Sequence, residues 1–116
     1  MKTIYLDPQA WDLALDASGN IALASEPYAL AQDAASEIRT FSGECYYNTA
    51  KGIPYWQQIL GHFPSVDVMK SNFASAALLV PGVVSALAYI TDANDRKVTG
   101  QVQITDSTGT VSAAGF

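Results

Sequence analysis

The stretch VVSALAYITDANDRKVTGQVQIT, residues 83–105, decides the fold class of this 116-residue chain. Its first part is apolar and rich in β-branched residues, whereas its last part alternates Val98, Val102 and Ile104 with threonine and glutamine. Alternation with a period of two is typical of a strand that has one buried face. The polar residues 92–97 between the two parts are of the types that turns prefer. The stretch therefore predicts a long antiparallel hairpin.

A second, shorter hairpin is predicted near the N-terminus. Trp11, Leu13 and Leu15 alternate with two aspartates and an alanine, again with the period of a strand. Residues 17–20 have the composition of a turn, and residues 21–24 are apolar once more. The pattern predicts two short strands joined by this turn.

The middle of the chain carries helical patterns. Apolar residues recur at spacings of four, four and three from Leu30 to Phe41, which is typical of one face of an amphipathic helix. Residues 54–60, which begin with a proline and precede a glycine, predict a short helix. Residues 65–80 predict a longer helix that Ser65 caps.

These patterns together predict an α+β fold. A small antiparallel sheet, built from the N-terminal and C-terminal hairpins, is expected to pack against two to three helices. The length of the chain fits a single domain over residues 1–116. Residues 109–116 are small and apolar, and we expect them to form a tail that is either flexible or ordered on a neighbouring protein.

The charge balance limits the choice of partners. Eleven acidic residues against six basic ones give a net charge of −5, which disfavours nucleic acid and anionic membranes. Cys45 is the only cysteine, which excludes an internal disulfide and fits a reducing compartment such as a bacterial cytoplasm. A lysine and a proline come too early for a signal peptide, and residues 81–82 interrupt the longest apolar run.

Residues suited to metal or cofactor chemistry are scarce. One cysteine and the single histidine, His62, cannot form a zinc site. The segment that starts at Asp92 begins like a calcium loop, but Lys97 and Gln103 occupy the positions that need glycine and glutamate. The glycine patterns of phosphate-binding loops are missing as well. We therefore expect no metal, no cofactor and no small-molecule substrate.

Paired carboxylates leave one enzymatic alternative open. Glu44 together with Glu37 or Asp33 could supply the acid and the base or nucleophile of a peptidoglycan glycosidase, a lysozyme-type enzyme. Glu37 also fits the solvated face of a helix, and Glu44 could instead pair with Arg39 or with a backbone amide. A cytoplasmic adaptor is a further alternative that the residues alone leave open.

Aromatic residues cluster around the Gly-Ile-Pro corner at residues 52–54. They are Tyr46, Tyr47, Tyr55 and Trp56. Tyrosine and tryptophan are enriched at protein–protein interfaces, where they act as anchors. We expect at least one of the four to fill the core beneath the loop and the others to form an anchor patch.

The segment IRTFSGECYYNTAKGIPYWQQILG, preceded by QDAASEIRTF and followed by LLVPGVVSA, resembles the small baseplate wedge proteins of contractile-tailed bacteriophages. The nearest branch is the Mu-like baseplate proteins, within the broader family of the T-even wedge and lysozyme-like baseplate proteins. The resemblance extends from Leu30 to about Ile104. It implies a small α+β subunit that is structural and not an enzyme. Its partners would be other wedge proteins and the tail sheath or tube, and it would offer strands to the first sheath subunits.

One departure from the family pattern limits which residues carry over. Many relatives have an arginine and a proline shortly after the glutamate of the Gly-Glu pair, whereas Cys45 and Tyr46 stand there in this chain. A role in gripping a wedge partner therefore carries over only to Arg39, Gly43 and Glu44.

An unpaired sheet edge would be a second way to bind a partner, because its free N–H and C=O groups can pair with another chain. We expect residues 98–104 to provide this edge.

The resemblance implies a location in the tail baseplate of the virion after assembly in the host cytoplasm. The predicted partner-binding residues are Arg39, Gly43, Glu44, Tyr46, Tyr47, Tyr55, Trp56, Val98 and Val102.

Overall fold

The computed structural model describes residues 2–55, 59, 65–93 and 97–116. These residues contain two helices and five strands, and the strands form a two-stranded and a three-stranded antiparallel sheet, which confirms the predicted α+β class. The short helix predicted over residues 54–60 falls mostly outside the described residues. The elements are β1 (Lys2–Ile4), β2 (Leu23–Ser25), α1 (Tyr28–Arg39), α2 (Val66–Leu78), β3 (Val83–Ala93), β4 (Val98–Asp106) and β5 (Val111–Gly115).

The C-terminal hairpin is confirmed. β3 and β4 pair antiparallel, with Leu87 opposite Gln103 and Ala88 opposite Val102. The alternation seen in the sequence separates the two faces of β4, since Val102 and Ile104 are fully buried while the threonines and glutamines between them are not. The period-two alternation therefore predicted correctly which face of this strand is buried.

The order of the strands corrects two expectations. β4 lies between β3 and β5, so residues 98–104 are not a free edge. The tail predicted over residues 109–116 is part of the sheet, because Val111–Gly115 pairs with β4. Phe116 then packs edge-on against Phe73 with ring centroids 5.0 Å apart, so the end of the chain joins the core.

Asp106 builds the turn that returns the chain to the sheet. Its carboxylate accepts the N–H groups of Thr108 and Thr110 at 2.9 and 3.0 Å and the Thr108 hydroxyl at 2.7 Å. The Thr108 hydroxyl and the surrounding N–H groups lower the pKa of Asp106. These bonds favour the ionised carboxylate, and they place β5 in register with β4.

We predict a pH-dependent contribution of Asp106 to stability. Because its pKa in the folded state lies below the ordinary value of about 4, its contribution is complete above that pH and is lost as the pH falls through the folded-state pKa. The difference in unfolding free energy between the natural chain and Asp106→Asn should therefore shrink between pH 6 and about pH 2.5. Denaturant unfolding at several pH values measures it, and a constant difference would contradict the prediction.

The core lies between the two helices and the three-stranded sheet. α1 turns an alanine-rich face towards β4 and β5, and α2 packs mainly against β3. Phe73 of α2 is fully buried between Tyr55 and Phe116. Ser65 accepts the N–H of Val68 and caps α2 as predicted. α1 and α2, the helices of the described part of the chain, lack the length and apolar character needed to cross a membrane.

The N-terminal strands form a separate sheet instead of extending the C-terminal one. β1 pairs with β2, and residues 13–15 add short bridges to Leu6 and Ile21. Gln32 of α1, almost completely buried, accepts the N–H of Leu6 at 2.9 Å and donates to the Ile4 carbonyl at 2.7 Å. This side chain attaches the small sheet to α1.

Candidate partner-binding surfaces

The chain leaves α1 through a loop that a parallel bridge closes at its base. Phe41 pairs with Ile53, where the Ser42 N–H donates to the Ile53 carbonyl and the Ile53 N–H donates to the Thr40 carbonyl, both at 2.9 Å. We call residues 42–52 the tyrosine loop. It contains Tyr46 and Tyr47 of the aromatic cluster and lies within the segment that resembles baseplate proteins.

Two residues fix the shape of the tyrosine loop. Gly52 has a φ of +108°, and a Cβ there would lie 2.7 Å from the Phe41 carbonyl, so only glycine fits. The Glu44 carboxylate accepts the Phe41 N–H at 2.9 Å, and the Glu44 N–H donates to the Phe41 carbonyl at 3.0 Å. Gly43 permits this turn with a φ of +88°. Glu44 is therefore held by a backbone amide, one of the two pairings considered from the sequence.

Tyr46 and Tyr47 project from the loop into solvent. Their side chains are 93% and 71% exposed, and the two rings meet edge to face with centroids 5.5 Å apart. Two exposed rings that pack on each other offer a partner a large contact area, and their side chains lose little conformational entropy on binding. They are the most exposed pair of aromatic residues in the described part of the chain.

Arg39 lies at the base of the loop but does not pair with Glu44. Its guanidinium group sits over the Trp11 ring, 4.1 Å from the ring centroid. Burial lowers the pKa of Arg39, which remains a cation at any ordinary pH. The cation–π contact orients Arg39 and connects the end of α1 to the N-terminal segment.

Two of the predicted partner-binding residues are buried, and a third is half-buried. Tyr55 is 7% exposed, donates its hydroxyl to the Ile38 carbonyl and packs on Phe41 with ring centroids 4.6 Å apart. Val102 is fully buried in the centre of the sheet, and Val98 is half-buried against the core. The buried side chains of Tyr55 and Val102 stabilise the fold and cannot contact a partner without rearrangement, whereas part of Val98 stays accessible. Trp56 and His62 lie outside the described residues.

The strand order makes β3 an edge of the sheet. Gly100 exchanges both backbone hydrogen bonds with Phe116, so alternate residues of β4, including Val102, direct their N–H and C=O groups towards β5. The residues between them bond to β3, and by the same alternation Leu87 bonds to β4 while Ala86 and Ala88 face the outer side. Within the described residues, no backbone hydrogen bond satisfies that side of Ala86 or Ala88.

Beside Ser85, Leu87 and Tyr89, the outer face of the sheet carries no charged side chain among the described residues. Leu87 and Tyr89 of β3 are both exposed there, beside Gln101 and Gln103 of β4. Native edge strands usually carry charges or prolines that block pairing with other chains. Between residues 83 and 91 this strand has neither.

A comparison with models of protein families identifies the family of this chain. The family model of contractile injection system sheath initiators matches residues 2–109. The chain belongs to this family. No curated protein is similar enough to count as a match. Membership gives the chain a structural role in sheath assembly, and it confirms the resemblance to baseplate proteins of contractile tails.

Two of the three carboxylates of the glycosidase alternative have other partners in this sheath initiator. Glu44 is bound to a backbone N–H, and Glu37 forms an ion pair with Lys51 at 2.8 Å. Burial and the neighbouring Glu37 charge raise the pKa of Asp33. A surface cavity of about 450 Å³ is lined by Phe41, Ser42, Gly43 and Glu44, so among its described lining residues Glu44 is the single carboxylate.

The tyrosine loop of the sheath initiator could be predicted from the sequence, whereas the outer edge of β3 could not. Both β3 and β4 carry strand patterns, and only the position of β5 decides which of them is central. No group of three or more His, Cys, Asp or Glu side chains that could hold a metal occurs among the described residues.

Proposed function

We propose that this sheath initiator is a subunit of a bacteriophage tail baseplate that connects the wedge proteins to the first sheath subunits. The tyrosine loop contacts the wedge, and the outer edge of β3 pairs with a strand of a sheath subunit. The protein acts through these contacts without breaking bonds. It is assembled in the host cytoplasm and remains in the virion.

The observation that carries the proposal is the outer edge of β3, which none of the described strands pairs with, in a member of the sheath initiator family. Ala86 and Ala88 present N–H and C=O groups on that side, and β3 is 11 residues long. An added strand would satisfy these groups by main-chain pairing, which tolerates differences in side chains. The exposed Leu87 and Tyr89 would give the added strand an apolar surface to follow.

The tyrosine loop supports the second half of the proposal. Gly52 and Glu44 hold the loop in one shape, so Tyr46 and Tyr47 lose little freedom when a partner covers them. Aromatic side chains of this kind are frequent energetic hot spots in interfaces. Arg39 and Gly43 shape the base of the loop, and Trp56 remains a predicted contact.

We expect the double variant Tyr46→Ala/Tyr47→Ala to fold normally but to bind the baseplate at least tenfold less. Both side chains are exposed, so the unfolding free energy should change by no more than about 0.5 kcal/mol. Truncating two anchors typically costs an interface about 2 kcal/mol or more. Quantitative mass spectrometry of purified tails measures how much of the chain is incorporated.

Tyr89→Ala is the matched control, since it removes another exposed tyrosine from the side proposed to face the sheath. It should leave incorporation into the baseplate unchanged. If the double variant and the control lost incorporation equally, the tyrosine loop could not be the specific wedge contact.

A further inference from the structure

The N-terminal sheet places its aliphatic side chains on a single face. Ile4 is opposite Leu23, Leu6 is opposite Leu13, and Leu15 is opposite Ile21. Residues that are directly opposite in an antiparallel pair share a face, as do residues two apart along a strand. We call this surface the aliphatic face; its members are Ile4, Leu6, Leu13, Leu15, Ile21 and Leu23.

The aliphatic face is exposed, while the other side of the sheet is covered. Side-chain exposure runs from 49% at Ile4 to 72% at Leu15, and only Leu6 is half-buried. On the opposite side, Ala24 is buried where β2 packs on α1. Single exposed leucines are ordinary, but a contiguous group of this size marks a surface that binds something.

Hydrogen bonds hold the aliphatic face in shape before any partner arrives. Gln32 binds the backbone of Ile4 and Leu6 from inside the molecule. The Asp16 carboxylate accepts the N–H groups of Ser18 and Asn20 at 2.8 and 3.0 Å and braces the turn between the paired residues Leu15 and Ile21. A face that is already ordered loses little entropy on binding.

The charge around the face selects the partner. Residues 2–26 contain four carboxylates and one lysine, a net charge of −3. Asp7, Asp12 and Asp16 all lie in the turns and connections of this sheet. A second copy of the chain would bring the same negative charge against it and is therefore disfavoured. An apolar surface bordered by lysine or arginine is complementary.

We infer that the aliphatic face docks an apolar segment of another protein of the assembled tail, and that lysine and arginine residues border this segment. The inference rests on the proposed function in that it takes the partner from the same particle. It concerns a different contact. The partner binds the aliphatic face by burying side chains, whereas at β3 it binds by main-chain pairing. The sheath initiator would then contact the rest of the tail through three separate surfaces.

Site-specific photocrosslinking in the assembled tail tests the inference. A photoreactive phenylalanine analogue replaces Leu15, tails are purified and irradiated, and the crosslinked peptide is sequenced. The expected product joins position 15 to one partner segment that is apolar and flanked by lysine or arginine. A tail that contains the chain but gives no crosslink, a crosslink to an acidic segment, or a crosslink to a second copy would each overturn the inference.

A paired variant measures the contribution of the face without a crosslinker. Leu15→Gln/Leu23→Gln should lower incorporation into tails at least tenfold and leave the circular dichroism spectrum unchanged, since both residues are exposed. Leu79→Gln, another exposed leucine outside the sheet, is the control and should have no effect. Normal incorporation of the double variant would overturn the inference. If even the unaltered chain is missing from purified tails, the proposed function fails, and the inference fails with it.

Discussion

Ala86→Pro is expected to leave the sheath initiator folded and attached to the baseplate while abolishing sheath growth. The N–H of Ala86 faces the outer side of β3, where proline removes a donor from the proposed sheath contact and takes no bond from β4. Proline also places its ring where the added strand would lie. Electron micrographs of tails should show tubes with baseplates but without sheath.

Leu87→Pro is the informative comparison, one residue further along the strand. Leu87 bonds to Gln103 of β4, so proline here removes a bond of the sheet ladder and leaves a carbonyl unpaired. We expect a loss of about 3 kcal/mol in unfolding free energy, from the missing bond and the strain together. If Ala86→Pro tails carried normal sheaths, the outer edge of β3 could not be the sheath contact.

Gly100→Ala is expected to cause the largest loss of stability from the addition of a single methyl group. A Cβ at this position would lie 2.0 Å from the Tyr89 carbonyl oxygen and 3.0 Å from both Ile90 Cα and the Phe116 ring. Because backbone atoms must move, we expect a destabilisation of about 3 kcal/mol, at the upper end of the usual cost of overpacking. Thermal unfolding should show a midpoint about 10 °C lower.

Gly115→Ala provides the control in the neighbouring strand. The nearest atom to a Cβ there is the Gly100 carbonyl oxygen at 3.7 Å, an ordinary contact distance. The unfolding free energy of this variant should stay within about 0.5 kcal/mol of the natural chain. Similar losses at both glycines would mean that the packing of β3, β4 and Phe116 differs from the one described.

The fold could be predicted where the hydrophobic pattern has a clear period. Val102 and Ile104 are buried because period-two alternation leaves only one apolar face in β4. β5 could not be predicted in this way, since residues 111–115 do not alternate and their pairing depends on the Asp106 turn. The position of β5 in turn decided that β4 is central and that β3 is an edge.

The partner-binding residues could be predicted only in part, because residue type does not reveal burial. Tyr46 and Tyr55 are the same residue type in one segment, yet Tyr46 is solvent-exposed and Tyr55 donates to the Ile38 carbonyl inside the core. The expectation that at least one aromatic residue fills the core is confirmed by Tyr55. Alternation near the N-terminus likewise predicted that Leu13 and Leu15 share a face, but it could not show that this face points outwards.

A reconstruction of the assembled tail by electron cryomicroscopy, at a resolution that separates β-strands, tests the central claim most directly. We expect this chain at the junction between baseplate and first sheath ring, with a sheath strand running alongside β3 and hydrogen-bonded to Ala86 and Ala88. An outer edge of β3 that faces solvent in a fully sheathed tail would contradict it.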